Sequence, residues 1–363
     1  MRDRDTPREA ALLADLPTPC VTVDSDVLDR NLRAMAAHTA GLGLALRPHA
    51  KTHKCVEIAR RQVELGATGL TVATVSEAEI FADGGLSDLF IAYPVWPSPQ
   101  RAARLRALAD RVALRVGVDS AQSAQALARV LPGLEVLIEV DSGHHRSGVA
   151  PEAAGGLAVA AQRAGLSVRG IFTFPGHGYG PGRQKQAADD EAAALEAAAG
   201  AVTAEGLEAA VRSGGSTPTA ALTGGTLTEL RPGVYVFGDA QQLELGTCTW
   251  EEIALSVAST VVSRSGQKII LDAGSKVLGA DQQVWATGGG RLLDHPDARI
   301  TALSEHHATV VIPDGAPVPR LGEVLRVVPN HVCATVNLAD ELIVVSGGAE
   351  VDRWPVAARG ANT

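Results

Sequence analysis

From about residue 40 to residue 245 the chain alternates short β-rich runs with Ala/Leu/Glu/Arg-rich stretches of helical periodicity, and this alternation limits what it can fold into more than any other feature. Repeated β run, helix and β run in that order make parallel strands joined by crossover helices. The β runs are Leu42 to His49, Gly69 to Thr74, Asp88 to Tyr93, Val112 to Asp119, Glu135 to Asp141, Val168 to Phe174, Ala209 to Ser213 and Val234 to Phe237. They supply about eight strands, the number a closed (β/α)8 barrel requires. An open doubly wound sheet is the competing arrangement.

After Trp250 the helical stretches vanish and β runs follow at short spacing: Ile253 to Val262, Lys268 to Leu271, Ala308 to Ile312, Val324 to Val328 and Leu342 to Val345. The pattern predicts an α/β protein, an N-terminal barrel over residues 25–248 followed by an all-β domain over 249–363. Residues 1–24 form a separate segment whose strand Cys20 to Val23 precedes a helix from Ser25 to Thr39, and we expect that strand to pair with the β domain.

A chain of 363 residues with 46% hydrophobic and 20% charged residues can bury the large core such an architecture needs. Acidic residues outnumber basic ones by 41 to 32, for a formal charge of −9. No Lys/Arg run forms a nucleic-acid track, which argues against that class of partner. The opening Met1-Arg-Asp-Arg-Asp-Thr-Pro7 is charged, and no apolar run reaches the ~20 residues of a membrane span. The expectation is a cytoplasmic protein with no membrane partner. Cys20, Cys55, Cys248 and Cys333 show no paired spacing, so each is read as a free thiol.

Active-site groups of a parallel α/β barrel lie at the C-terminal ends of its strands. Arg47-Pro-His-Ala-Lys51, Asp141-Ser-Gly-His-His-Arg-Ser147 and Thr173-Phe-Pro-Gly-His-Gly-Tyr179 all end β runs. Lys51 sits among Arg47, His49, His53 and Lys54, cations that work against its own protonation and suit an amine nucleophile. Taken alone, the same residues read more readily as a solvated basic loop. Ser213-Gly-Gly-Ser-Thr-Pro-Thr219 combines two glycines with hydroxyls able to converge on a phosphate, or forms a plain turn. His331-Val-Cys333 puts imidazole and thiol on one face if the segment is extended, a metal pair that water or substrate would complete, or a core Cys beside a polar loop. Glu305-His-His307 and Asp272-Ala-Gly-Ser-Lys276 offer further candidate ligands or cleft residues, or ordinary turns.

The segment RPHAKTHK at 47 to 54 resembles the cofactor-lysine segment of the D-serine dehydratase and D-threonine aldolase family. Thr74-Val-Ser-Glu-Ala-Glu79, Phe174-Pro-Gly-His-Gly-Tyr179, Gly215-Ser-Thr-Pro-Thr219, Thr228-Glu-Leu-Arg-Pro-Gly-Val-Tyr235, Leu271-Asp-Ala-Gly-Ser-Lys276 and Pro329-Asn-His-Val-Cys333 resemble family segments in the same order, across nearly the whole chain. The resemblance implies a fold related to alanine racemase, with pyridoxal 5'-phosphate in the barrel, a D-amino acid substrate and a homodimer. It implies that Lys51 bonds covalently to the cofactor, with His49 and Tyr179 beside it. Gly215, Ser216 and Thr217 would hold its phosphate, Arg146 would lie near the pyridine ring, and His331 and Cys333 would bind a divalent metal.

The family chemistry divides at the β-carbon. A metal on the β-hydroxyl favours elimination, whereas a base on that hydroxyl promotes retro-aldol cleavage. Dehydratase members, as the resemblance has it, carry the His-x-Cys pair, and aldolase members place an aspartate where this chain has Cys333. Thiolate and imidazole favour Zn2+, a carboxylate Mn2+ or Mg2+. The expectation is therefore a zinc-assisted dehydratase of D-serine or a related 3-hydroxy-D-amino acid. Thr335-Val-Asn-Leu338 looks more like the aldolases and keeps cleavage of D-threonine or a similar amino acid as the alternative. An amino-acid racemase needs no metal, and a non-catalytic cofactor carrier needs no long β domain.

Overall fold

The computed structural model of the protein describes residues 16–363; the charged opening from Met1 to Pro7 lies outside them. The chain forms two compact units. One contains the described residues up to Arg33, Thr52–Cys55 and Val234–Gly360; the other contains Ala34–Lys51, Val56–Gly233 and Ala361–Thr363. Strand β1 (Cys20–Asp24) leads directly into the helix Ser25–Gly41.

Eight parallel strands build the second unit: β2 (Ala45–Leu46), β3 (Leu70–Val72), β4 (Asp88–Pro94), β5 (Ala113–Val118), β6 (Glu135–Glu139), β7 (Ser167–Phe172), β8 (Val211–Gly214) and β9 (Glu229–Leu230). They pair in the order β2-β9-β8-β7-β6-β5-β4-β3. The two ends of that order meet through the N–H groups of Thr68 and Thr71, which donate to the carbonyls of Leu46 and Pro48, and through Ala50 N–H to Thr71 O. The sheet thus closes into a barrel.

One expected strand needs correction. Val234–Val236 is a turn of 3-10 helix, and the eighth strand is Glu229–Leu230. Val-Tyr-Val has strand composition, but the ladder is completed by a two-residue strand with a buried glutamate, a pattern no apolar run announces.

Alternation along the strands separates two layers of core. Leu89, Ile91, Val136, Ile138 and Ile171 join the large cluster that includes helix residues Ala59, Leu105, Leu127 and Leu195. Phe90, Leu137 and Phe172, their immediate neighbours, form a separate small cluster. Successive side chains of a strand point to opposite faces, so the first set packs outward against helices and the second fills the barrel interior. There the rings of Phe90 and Phe172 meet edge-on, centroids 5.1 Å apart.

The first unit is mostly sheet. Its later strands are β10 (Leu255–Ser265), β11 (Lys268–Leu271), β12 (Gly290–Leu292), β13 (Arg299–Leu303), β14 (Ala308–Val311), β15 (Val324–Pro329), β16 (Glu341–Ser346) and β17 (Ala349–Pro355). The main order is β13-β14-β11-β10-β1-β16-β17, with β15 pairing β10 and β12. Strand β1 runs antiparallel to β10, with Cys20 opposite Ala258, and parallel to β16, with Thr22 opposite Ile343. This unit is not free of helix after Trp250, as its sequence suggests: Ser275–Leu278 and Val332–Leu338 are short helices. The four cysteines, all among the described residues, form no disulfide, and burial pushes Cys20 up to about 11 and Cys248 up to about 12. Among the described residues no helix is long and apolar enough to cross a membrane.

Candidate active site

Lys51 is delivered by the backbone beyond β2. Arg47 N–H donates to Leu230 O, His49 N–H to Pro232 O and Ala50 N–H to Thr71 O, which carries the segment past the C-terminal end of the strand. Lys51 Nζ then lies 5.7 Å from the centre of the Phe174 ring. The Arg146 guanidinium carbon is 5.4 Å from the same ring, and Tyr179 packs on it at 6.1 Å between centroids. His144 meets its edge at 5.5 Å. Three residues singled out from sequence, Lys51, Arg146 and Tyr179, thus gather around a fourth that was not, Phe174. The half-buried His49 accepts a long 3.5 Å contact from Lys51 N–H at Nδ1.

Two of the cations that neighbour Lys51 in sequence, Arg47 and Lys54, have acceptors of their own. Arg47 is buried, its Nε 2.7 Å from Glu229 Oε2 and its Nη1 2.7 Å from Asp88 Oδ1. Burial works against its charge, but Glu229 and Asp88 outweigh that and raise its pKa. Lys54 donates from Nζ to Asn337 Oδ1 at 2.7 Å. Charges adjacent in sequence are committed to separate acceptors.

Behind the Phe174 group runs a buried polar chain. Arg231 Nη1 donates to Ser213 Oγ at 2.6 Å, Ser213 Oγ donates to Glu229 Oε1 at 2.6 Å, and Arg47 donates to the other oxygen of Glu229. Arg231 also lies 5.4 Å and 5.7 Å from the Phe172 and Phe90 ring centres, within cation–π reach. Burial lowers its pKa to about 10 against the pull of Glu229, Glu191 and Glu139. Glu139 is itself raised by burial, although Ser147 Oγ donates to it at 2.7 Å and Arg146 opposes the shift.

Gly215, Ser216 and Thr217 lie on the turn after β8. Gly215 has φ +80°, and a Cβ there would collide with Leu230 Cδ1, so only glycine fits. Ser216 N–H donates to Thr219 Oγ1 at 3.0 Å, and Thr219 N–H returns to Ser216 O at 3.2 Å. The hydroxyls of Ser216, Thr217 and Thr219 and a left-handed glycine at a strand's C-terminal end fit a phosphate group. Gly215 N–H, however, donates 2.6 Å to Glu191 Oε1. Burial pushes the Glu191 carboxyl up to about 7, opposed by that amide and by Arg231.

His331 and Cys333 are not on an extended face. His331 is the N-cap of the helix Val332–Leu338 (φ −131°, ψ 102°), and Cys333 sits in its first turn. The two side chains still meet in a hydrogen bond. Asp281 hydrogen-bonds His331 Nδ1, and the buried Asp239 accepts N–H bonds from Val332 at 3.2 Å and Gln242 at 2.9 Å. Cys333 Sγ lies 3.3 Å from Thr52 Oγ1. Burial disfavours a charged His331, but Cys333, Asp239 and Asp281 overcome it and raise its pKa to about 10. Among the described residues no three His, Cys, Asp or Glu converge as a metal cage. An imidazole–thiol pair in contact fits a divalent metal held by two side chains, with coordination positions left open.

The other candidates are structural. Glu305, His306 and His307 are exposed on the turn between β13 and β14, with Lys276 paired to Glu305 at 2.9 Å. Asp272 accepts from Ser259 Oγ, Thr260 N–H and Thr18 Oγ1, bonds that fasten a turn. Among the residues missed, Asp239 had a legible signal, an aspartate N-cap before Ala-Gln-Gln. Glu191 and Asp281 had none, and Phe174 stood inside the strand-end segment Thr173 to Tyr179 without being singled out.

This barrel and sheet unit match known proteins along their length. Residues 23–241 match the family model described as alanine racemase, N-terminal domain, and residues 254–345 match that of a serine dehydratase domain. The chain belongs to the alanine racemase-like family of fold type III pyridoxal-phosphate enzymes, in the branch of lyases that holds the D-threonine aldolases and D-3-hydroxyaspartate dehydratases. It is 36% identical to D-threonine aldolase from an Arthrobacter species, covering 96% of this chain and 94% of the aldolase. It is also 36% identical to D-threo-3-hydroxyaspartate dehydratase of Delftia sp. (strain HT23), covering 94% and 97%. A cysteine-to-alanine variant of D-threo-3-hydroxyaspartate dehydratase, solved in a metal-free form, superimposes with a TM-score of 0.87 at 33% identity, covering 94% and 98%.

Proposed function

We propose that the protein is a pyridoxal-phosphate- and zinc-dependent dehydratase (ammonia-lyase) that converts D-serine or a related 3-hydroxy-D-amino acid to a 2-oxo acid and ammonia. The observation that carries this reading is the hydrogen-bonded His331–Cys333 pair with Asp281 and Asp239 beside the imidazole. Thiolate with imidazole suits zinc better than manganese or magnesium. A dehydratase relative with one cysteine changed to alanine has been solved in a metal-free form, and a metal role for a cysteine is consistent with that.

Pyridoxal phosphate, when bound, draws electrons from the α-carbon of an amino acid joined to it, and a divalent cation supplies Lewis-acid polarisation of a substrate oxygen. Residues 25–248 hold the cofactor and 249–363 carry the metal pair. Lys51 Nζ is the group that would bond the cofactor, and once the substrate's amine had displaced it the freed nitrogen would take the α-proton. Ser216 and Thr217, on the Gly215 turn, receive the phosphate. His49 and Tyr179 would steady the cofactor, and the Arg146 guanidinium would lie by its ring nitrogen and disfavour protonation there. Loss of the α-proton and the β-hydroxyl releases an enamine, which water converts to the 2-oxo acid and ammonia. The working form is a homodimer.

The second reading is retro-aldol cleavage of a β-hydroxy-D-amino acid to glycine and an aldehyde, and the equal identity to a D-threonine aldolase favours it. The aldolase-like Thr335-Val-Asn-Leu338 has packing duties in this structure. Thr335 Oγ1 donates to Leu278 O at 2.8 Å, and Asn337 accepts from Lys54. Incubating the cofactor- and zinc-loaded protein with D-serine and D-threonine separates the readings. We expect 2-oxo acid and ammonia; aldehyde and glycine without ammonia would overturn the dehydratase assignment.

A further inference from the structure

The peptide between Gly214 and Gly215 is held at both ends. Its carbonyl accepts Arg231 N–H at 2.8 Å, and its N–H donates to Glu191 Oε1 at 2.6 Å. Glu191 comes from the helix Gln184–Ala204, on a buried position of that helix. A Cβ on Gly214 would collide with Glu191 Oε1 and one on Gly215 with Leu230 Cδ1, so the two glycines let the backbone close over the carboxylate. A carboxyl removed from water is costly, and at this position an apolar residue would satisfy the helix packing without that cost. Burial holds the group near neutrality, at about 7, where it keeps a lone pair for the amide whether or not it carries a proton.

We infer that Glu191 is a positioning residue for the cofactor phosphate: by fixing the 214–215 peptide it sets the direction in which the Ser216–Thr219 turn opens. This rests on the phosphate role proposed above for Ser216 and Thr217. Gly215 N–H is then no phosphate donor but the anchor of the loop. The Ser216 N–H to Thr219 Oγ1 bond closes the turn beyond that anchor, so the hydroxyls inherit their placement from Glu191. The role needs an acceptor oxygen at this point, not a negative charge.

The test compares cofactor binding by three forms of the full chain. Apoprotein is titrated with pyridoxal phosphate, following the absorbance near ~420 nm that the bound cofactor gives, and phosphorus NMR reports on the phosphate itself. Glu191→Gln keeps the acceptor and should bind like the parent with an unmoved phosphorus resonance. Glu191→Ala should bind about tenfold more weakly, the worth of one hydrogen bond to a buried ionisable group, with a shifted or broadened resonance. If that variant fails to fold, Glu191→Asp, which draws the oxygen back by one methylene, should show the same weakening. Equal affinity and resonance in Glu191→Ala, or loss in Glu191→Gln as large as in Glu191→Ala, would overturn the inference. Failure of the parent itself to bind pyridoxal phosphate would overturn the functional reading, and the inference with it.

Discussion

Inside the barrel, Arg47 and Arg231 are met by Glu229, Asp88 and Ser213, whereas in the mostly-sheet unit His331 stands among a thiol and two carboxylates. The first region balances its charge with its own side chains. The second sets one imidazole beside a thiol, with Asp281 on its Nδ1 and the buried Asp239 nearby, groups of the kind that metal sites use. The barrel network is thus a frame complete in its own side chains, whereas the His331–Cys333 pair is the part proposed to receive a metal. The two regions should therefore fail in different ways when a carboxylate is removed.

The largest effect is expected in the frame. Glu229→Gln deprives the buried Arg47 of one of its two carboxylates and breaks the chain to Arg231, which should cost roughly 3–5 kcal/mol in urea unfolding, the usual penalty for breaking a buried ion pair. A loss under about 1 kcal/mol, the scale of an exposed pair, would end the comparison, because the network would then be no frame. Next comes the metal pair. Asp281→Asn should lower zinc affinity about 10–100-fold in a chelator competition, as loss of a carboxylate behind a metal-bound histidine does elsewhere, while cofactor absorbance stays unchanged. Unaltered zinc affinity would show that Asp281 does not serve the pair.

Much of this could be read in the sequence where local pattern and tertiary role agree. The strands of the barrel that follow apolar runs, the C-terminal sheet unit, and the segments carrying Lys51, Arg146 and Tyr179 were legible because burial leaves a periodic trace and strand ends leave polar ones. What was illegible depends on distant partners. Glu229–Leu230 carries a buried carboxylate whose charge Arg47 balances and whose other oxygen Ser213 hydrogen-bonds, partners that no window around Glu229 reveals. Strand β12 begins at the end of a glycine run, and β17 is exposed along most of its length, so neither carries an apolar signal. Val332–Leu338 is helical despite its β-branched residues, held by Asp239 at Val332 N–H and by Thr335 on Leu278 O. Glu191 is invisible for the same reason: its meaning lies in Gly215, which is far along the chain.

Lys51, placed beside Phe174 at the end of the barrel's first strand, is the residue proposed to bond the cofactor. Reducing the pyridoxal-phosphate-loaded protein with borohydride, digesting it and locating the modified lysine by mass spectrometry tests this directly. The modification is expected on Lys51, with the band near ~420 nm absent from a Lys51→Ala variant. Modification of Lys54 or any other lysine, or a borohydride-sensitive band that survives in Lys51→Ala, would contradict it.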